Sequence, residues 1–302
     1  MRKFSIFLIF VISCAKSDME KFWQDGNPLP YKVANFGWTS NLNSFYIFGG
    51  DTSFNDYSTS RMIIYNNNNN SYQISETLIA PIHLKNSCIA VYNNKVYIFG
   101  GYISNVPTNY FFSYDLNSKT YQDLGNMPFE TGGCSAIVLN NKIYIIVGAN
   151  TSLFYEFNPA NNSFNQKASL KYIRDRACAV VLNGQIYVIG GGNNKVEVYD
   201  IMANSWIEKK SLDVSLKSHT CSVLDNNIYV FGGQTSSTTI SSKVFKYDPN
   251  SNTWSYVTDM KTPRKGLGSA VIGNEIYVFG GIDDNNNFTN KVEIFKVSPI
   301  VF

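Results

Sequence analysis

The sequence has few of the residues that build metal and redox centres. It contains two histidines, His83 and His219, and its five cysteines include no CxxC pair. A zinc site with three histidines is excluded by count, and the cysteine spacing does not support a zinc ribbon. GxSxG, P-loop and GxGxxG motifs are also absent from the sequence. We therefore expect no metal and no cofactor.

Charged residues are scarce as well. They make up 16% of the chain, and the net charge is +3. Nucleic-acid partners require a concentrated basic surface, so we expect none here. Hydrophobic residues reach 44% and aromatic residues 15%, which excludes a disordered polyelectrolyte and favours β-strands.

Long apolar runs are missing apart from one short stretch at the N-terminus. Arg2 and Lys3 precede an apolar run at 4–12, and small residues follow at Ser13 and Ala15. This layout predicts a signal peptide over residues 1–15, and the run is too short to span a bilayer. We therefore expect a secreted or extracytoplasmic protein. The Cys14 region also fits a lipoprotein leader, in which Cys14 would carry the lipid. The alternative is an uncleaved N-terminus on a cytoplasmic protein.

A repeated motif dominates the rest of the chain. A tyrosine and two or three apolar residues are followed by a glycine and a second small residue, and this occurs six times. The first glycines are Gly49, Gly100, Gly148, Gly190, Gly232 and Gly280, at steps of 51, 48, 42, 42 and 48 residues. Repeats of this length are typical of arrays in which each unit packs against its neighbours.

Each repeat also contains the signals of two hairpins. Pairs such as Asn93-Asn94 and Asn183-Gly184 precede the glycine motif, and such pairs suit tight turns. After the motif come two aromatic residues seven positions apart, which are Tyr65/Tyr72, Tyr114/Tyr121, Phe157/Phe164, Tyr199/Trp206 and Tyr247/Trp254. Each repeat therefore predicts four short antiparallel strands, whose apolar faces are buried when the sheets are arranged radially.

This pattern resembles the kelch repeat, which has a double glycine followed by a Tyr and Trp pair. The resemblance covers residues 20–302 and implies an all-β, six-bladed β-propeller of four-stranded antiparallel blades. We take residues 16–302 as this single domain. The third repeat departs from the pattern with Gly148-Ala149, and only two repeats carry Trp at the last aromatic position.

Closure of the ring is predicted to involve the N-terminal segment. The sixth repeat runs from Pro263 to Phe295 and leaves little chain for a fourth strand. The segment 21–24 precedes the first strand of the first repeat and resembles an isolated fourth strand. Kelch-like propellers commonly close by pairing such a strand into the last blade. The alternative uses Phe302 as the missing aromatic residue.

Four cysteines remain after the leader: Cys88, Cys134, Cys178 and Cys221. Each is predicted to lie on the first strand of a different repeat. Disulfides need Cα atoms within about 7 Å, and first strands of different blades are expected to lie farther apart. We therefore expect unpaired cysteines that act as small packing residues.

The connections between blades offer the best candidate ligand site. They carry more basic than acidic residues, and such connections gather at one end of a propeller. Converging cations suit a carboxylate, a phosphate or an acidic sugar. The candidate ligand-binding residues are Lys85, Tyr172, Arg174, Arg176, His219 and Arg264.

Three functions agree with the sequence. The first is a non-catalytic, monomeric binding module that presents loops on one propeller face to a protein or glycan. The second is a secreted sugar-modifying enzyme resembling a sialic acid mutarotase, for which no catalytic residue can be assigned. The third is an intracellular scaffold or cytoskeleton-binding propeller. Because one fold supports many functions, the kelch resemblance does not choose among them.

Overall fold

The computed structural model describes residues 22–54, 58–75, 83–236 and 238–297. The predicted leader, Cys14 and Phe302 lie outside these residues. No helix in the described ranges combines the length and apolar character needed to cross a membrane.

The described residues form 29 strands. Those of the first half are β1 (Trp23–Asp25), β2 (Gly37–Asn41), β3 (Ser44–Phe48), β4 (Met62–Asn66), β5 (Ser71–Ile74), β6 (Cys88–Tyr92), β7 (Lys95–Phe99), β8 (Tyr102–Ile103), β9 (Val106–Asp115), β10 (Thr120–Thr131), β11 (Ser135–Leu139), β12 (Lys142–Ile146), β13 (Phe154–Asn158) and β14 (Ser163–Gln166).

The strands of the second half are β15 (Cys178–Leu182), β16 (Gln185–Ile189), β17 (Val196–Asp200), β18 (Ser205–Lys209), β19 (Leu216–Lys217), β20 (Thr220–Leu224), β21 (Asn227–Phe231), β22 (Gln234–Thr235), β23 (Lys243–Asp248), β24 (Thr253–Asp259), β25 (Arg264–Lys265), β26 (Gly268–Ile272), β27 (Glu275–Phe279), β28 (Ile282–Asp283) and β29 (Val292–Lys296).

These strands build the predicted six-bladed propeller. From the inner to the outer strand, the blades are β2-β3-β4-β5, β6-β7-β9-β10, β11-β12-β13-β14, β15-β16-β17-β18, β20-β21-β23-β24 and β26-β27-β29-β1. Neighbouring strands within each blade are antiparallel. The hydrophobic core lies between blades, where the apolar faces of adjacent sheets meet.

The N-terminal strand completes the sixth blade as predicted. Strand β1 pairs with β29, placing Trp23 opposite Phe295. Trp23 is 2% exposed, and its ring lies 5.1 Å from that of Phe295. It therefore supplies the last aromatic residue that the sixth repeat lacks.

The paired aromatic residues of the other blades face each other across the third and fourth strands. Tyr199 lies opposite Trp206, and Tyr247 opposite Trp254. The two tryptophans also donate their Nε1 hydrogens to the preceding blade, to the carbonyls of Ala168 and Lys210, at 2.8 Å each. These residues hold the outer strands of neighbouring blades together.

The prediction of unpaired cysteines is wrong. The structure contains the disulfides Cys88–Cys134 and Cys178–Cys221, with Cα–Cα distances of 5.3 and 5.9 Å. They join blades two and three, and blades four and five. The prediction failed because the inner strands converge toward the axis, which brings residues on neighbouring blades within disulfide range. Cys134 also lies just before its strand rather than within it.

Candidate functional site at the mouth of the propeller

The two ends of the propeller are built differently. First strands begin where second strands end, as in the pairing of Cys88 with Phe99. We call this end the mouth face, and it carries the loops between blades and those after the glycine motif. The other end, which we call the hairpin face, carries the tight turns such as Asn93-Asn94, where both residues have positive φ.

The second glycine of the repeat fixes the mouth loops to the next blade. Gly50 donates its N–H to the carbonyl of Leu84, and Gly233 donates to that of Arg264, at 3.0 and 2.8 Å. Their φ angles are 93° and 92°. A Cβ on Gly50 would lie 2.6 Å from the Ala34 carbonyl oxygen. The motif is therefore required by both the backbone conformation and the close approach of the loop that enters the same blade.

A closed ring of backbone hydrogen bonds surrounds the axis at the mouth. Each blade contributes the residue two positions before its first strand, and its N–H donates to the carbonyl of the equivalent residue in the preceding blade. The six bonds measure 2.5–3.0 Å. All six residues have φ between 52° and 68°. We call this the backbone ring, formed by Asn35, Asn86, Gly133, Arg176, Ser218 and Gly266.

The backbone ring borders a central cavity of about 430 Å³. Its wall is formed by the inner strands and includes all four disulfide cysteines, Arg176 and His219. Serines and aliphatic residues supply much of the remaining lining. Among the described residues that line the cavity, Arg176 carries a charge and none is a carboxylate.

Arg174 and Arg264 have structural roles instead of the predicted ligand contacts, since both are 0% exposed. Arg174 donates to Glu197 at 2.5 Å and to the carbonyl of Gly190. Arg264 lies 3.3 Å from a carboxylate oxygen of Glu293. Each arginine thus joins its interblade loop to the third strand of its own blade.

Two other predicted residues, Lys85 and Tyr172, are also held by neighbouring groups. Lys85 lies 3.8 Å from Asp51. Tyr172 packs beneath the ammonium of Lys195, which is 4.9 Å from the ring centroid. Neither Lys85 nor Tyr172 lines the central cavity.

His219 is buried at the seam between blades four and five. Its Nε2 donates to the carbonyl of Ile189 at 3.1 Å. Burial lowers the pKa of His219 to about 4, and the nearby charge of Arg174 also lowers it. The imidazole is therefore neutral at physiological pH and serves the blade interface rather than an anionic ligand.

Arg176 lines the cavity with a side chain that is partly exposed. Its guanidinium lies 3.8 Å from Asp175 and 6.0 Å from the ring centre of Tyr102. Lys217 and Lys265, which belong to the basic interblade connections but were not among the six candidate ligand residues, directly precede backbone-ring residues in blades five and six. We call Arg176, Lys217 and Lys265 the cation cluster. The recurring position before each first strand was the signal that could have selected them.

Exposed apolar side chains also lie in the mouth loops. Phe54 follows the glycine motif of blade one, Val106 that of blade two, and Ile173 lies between blades three and four. Their exposures are 66%, 62% and 60%. The mouth face therefore combines cations with apolar contact surface, as binding surfaces commonly do.

Similarity to known proteins agrees with this architecture. A six-bladed propeller with double-glycine loops defines the class, and the KLHDC2/KLHL20/DRC7 Kelch-repeats domain model matches residues 8–191 and 176–299. The chain belongs to the kelch-repeat family.

Curated relatives match over part of their length. Kelch-like protein 40 from Xenopus laevis is 30% identical over 131 residues, which are 43% of this chain and 20% of that protein. The Xenopus tropicalis protein of the same name is 31% identical over 132 residues, or 43% and 21%. The match thus spans about a fifth of these relatives.

A solved structure titled "Structure of YjhT" shares the fold. Its TM-score is 0.78 with 13% sequence identity, over 90% of this chain and 97% of that one.

Proposed function

We propose that this protein is an extracytoplasmic, non-catalytic binding module whose mouth face receives a protein or glycan partner. The observation that carries the proposal is the convergence of loops from all blades on one rigid mouth. The backbone ring holds their bases in place, and Phe54, Val106 and Ile173 expose apolar surface around it. A pre-formed surface limits the ordering cost of binding.

The composition of the cavity favours binding over sugar chemistry. Acid–base catalysis requires a titratable group within reach of the substrate. The described cavity lining offers no carboxylate, and its one imidazole, His219, is buried and hydrogen-bonded. Glu130, near the end of β10 in blade two, is exposed and does not line the cavity.

The disulfides support the extracytoplasmic part of the proposal. Disulfides form and persist in oxidising compartments and are rare in reducing ones. Two of them join neighbouring blades here. This agrees with the signal peptide predicted at residues 1–15 and disfavours the intracellular scaffold.

The proposal is tested by screening the domain 16–302 on arrays of immobilised glycans and peptides. The variants Phe54→Asp and Ile173→Asp place charges on the mouth face. Leu42→Asp is the matched control, because Leu42 is 87% exposed in a hairpin-face turn. We expect the mouth variants to lose ligand signals that Leu42→Asp retains. Loss of signal in Leu42→Asp alone would place the binding surface on the opposite face.

A further inference from the structure

We infer that Arg176, Lys217 and Lys265 form a one-sided anion site at the mouth, and that it binds the carboxylate of an acidic sugar. This inference rests on the proposed function and specifies its ligand. Of the six candidate residues it keeps Arg176 and adds two lysines, so the site lies on blades four, five and six. The geometry, the charge balance and the neighbouring polar groups support it.

The backbone ring sets the three cations side by side. Ser218 donates its N–H to the carbonyl of Arg176 at 3.0 Å, and Gly266 donates to that of Ser218 at 2.8 Å. Lys217 and Lys265 are the residues immediately before Ser218 and Gly266. The three cationic residues therefore start from adjacent positions around the axis.

A glutamine lies between the two lysines. Gln234 pairs with Lys217 across strands β19 and β22. Its Oε1 accepts a 3.4 Å hydrogen bond from the Nζ of Lys265. This contact places the Lys265 ammonium toward blade five, on the same side as Lys217.

Positive charge exceeds negative charge at this place. Asp175 lies 3.8 Å from Arg176, and among the described ion pairs no acidic residue pairs with Lys217 or Lys265. Burial lowers the pKa of Lys265, and the charges of Lys217 and Arg176 lower it further. The cations are thus close enough to repel one another, and a bound anion would relieve that repulsion.

Arg176 occupies a position that is costly for a long side chain. Its φ is 53°, in the left-handed region that Gly and Asn adopt more readily. Gly133 leaves room for it, because a Cβ there would lie 2.8 Å from the Cγ of Arg176. The blade interface therefore accommodates this side chain at the mouth.

The polar groups next to the cluster suit a sugar. Ser218 belongs to the backbone ring between the cations, and Asn35 is the next ring member after Gly266, to whose carbonyl it donates its N–H at 2.9 Å. Asn86 follows Asn35 around the ring. Hydroxyl and amide side chains can donate to and accept from sugar hydroxyls. Tyr102 adds a partly exposed ring beside Arg176. An acidic sugar would use both the charge and these hydrogen-bonding groups.

The test compares glucuronate with glucose, which differ by the carboxylate, using calorimetric titration of the domain 16–302. We expect glucuronate to bind and glucose to bind at least about tenfold more weakly. The double variant Lys217→Met/Lys265→Met should weaken glucuronate binding about tenfold or more. Lys142→Met is the control, because Lys142 follows a turn on the hairpin face.

A second pair of variants separates charge from folding. Lys217→Arg/Lys265→Arg keeps both charges and should retain glucuronate binding, and the melting temperature of each variant checks its fold. Unchanged glucuronate binding in the methionine variant overturns the anion site. Binding of a glutamate-rich peptide without glucuronate binding overturns the sugar assignment. In both cases array binding that depends on Phe54 and Ile173 would leave the proposed function standing.

Discussion

Blades four and six share one design, and they differ in how completely their polar groups are satisfied. Both join an interblade loop to the third strand through a buried Arg–Glu pair. In blade four, Glu197 also accepts the N–H of Lys171 at 2.7 Å. In blade six, neither carboxylate oxygen of Glu293 has a hydrogen-bond partner among the described residues.

Their outer strands differ in the same direction. The Nε1 of Trp206 in blade four donates to a carbonyl of blade three, whereas the Nε1 of Trp23 in blade six has no partner within the described part of the chain. Blade four is also joined to blade five by a disulfide. Blade six, whose outer strand comes from the N-terminal segment, therefore leaves polar groups unbonded at positions where blade four, built from consecutive strands, bonds them.

The largest loss of stability is expected when the closure of blade six by β1 is disrupted. Removing residues 16–27 takes away β1, so the sixth blade loses its outer strand, and we expect loss of cooperative unfolding. The milder Trp23→Ala change should lower the free energy of unfolding by about 3–5 kcal/mol. Urea unfolding measures both. Met202→Ala at a 96% exposed site is the matched control, and an equal loss there would refute the closure argument.

The disulfides should give the next largest effect. Cys178→Ser/Cys221→Ser opens a cross-link between residues separated by 43 positions and should cost about 2–4 kcal/mol. Thiol titration of the denatured, unreduced domain checks the bonds directly. We expect Cys88, Cys134, Cys178 and Cys221 to give no free thiol, and four reactive thiols would contradict both disulfides.

The seam beside blade four should also respond to pH. The pKa of His219 is lowered from 6.5 to about 4 in the native state. Between these two values the imidazole is protonated in the unfolded chain and neutral in the native state. The free energy of unfolding should therefore fall by about 2 kcal/mol between pH 7 and pH 5 through this group. His219→Gln should remove that part of the slope. His83→Gln, at an exposed position, should keep it.

The smallest effect compares the two acidic residues. Glu197→Gln weakens a charged hydrogen bond to Arg174, and we expect it to cost about 1–3 kcal/mol. Glu293→Gln should cost less, because Glu293 makes an ion pair at 3.3 Å without hydrogen bonds to its oxygens. Denaturant unfolding of the two variants gives the difference. Equal costs would mean that hydrogen bonding does not distinguish the blades.

The fold could be predicted from the sequence because each repeat carries its own local signals for the same four strands. The glycine motif, the turn pairs and the aromatic spacing recur across the blades, with Gly148-Ala149 as a departure in blade three, and Trp23 could be recognised as the aromatic residue missing from the sixth repeat. The disulfides were missed because the distance between inner strands of different blades depends on closure of the ring. No local pattern reports that distance.

The surroundings of the candidate site residues could be predicted only in part, for a similar reason. Lys85, Arg174, Arg176 and Arg264 look alike in sequence, and the partners that bury Arg174 and Arg264 come from strands about 20–30 positions later. Solvent exposure therefore distinguished Arg176 from the buried arginines. In the sequence, the backbone ring is visible only as the position two residues before each first strand, where Asn, Gly and Ser recur.

The backbone ring also links all six blades in one closed circle of hydrogen bonds. Every member both gives and receives one bond, so the chain of donors returns to its start only when Asn35 of blade one reaches Gly266 of blade six. If one repeat were gained or lost, these donors and acceptors would all be satisfied again only after the circle had closed at a different circumference, with a new spacing between neighbouring inner strands.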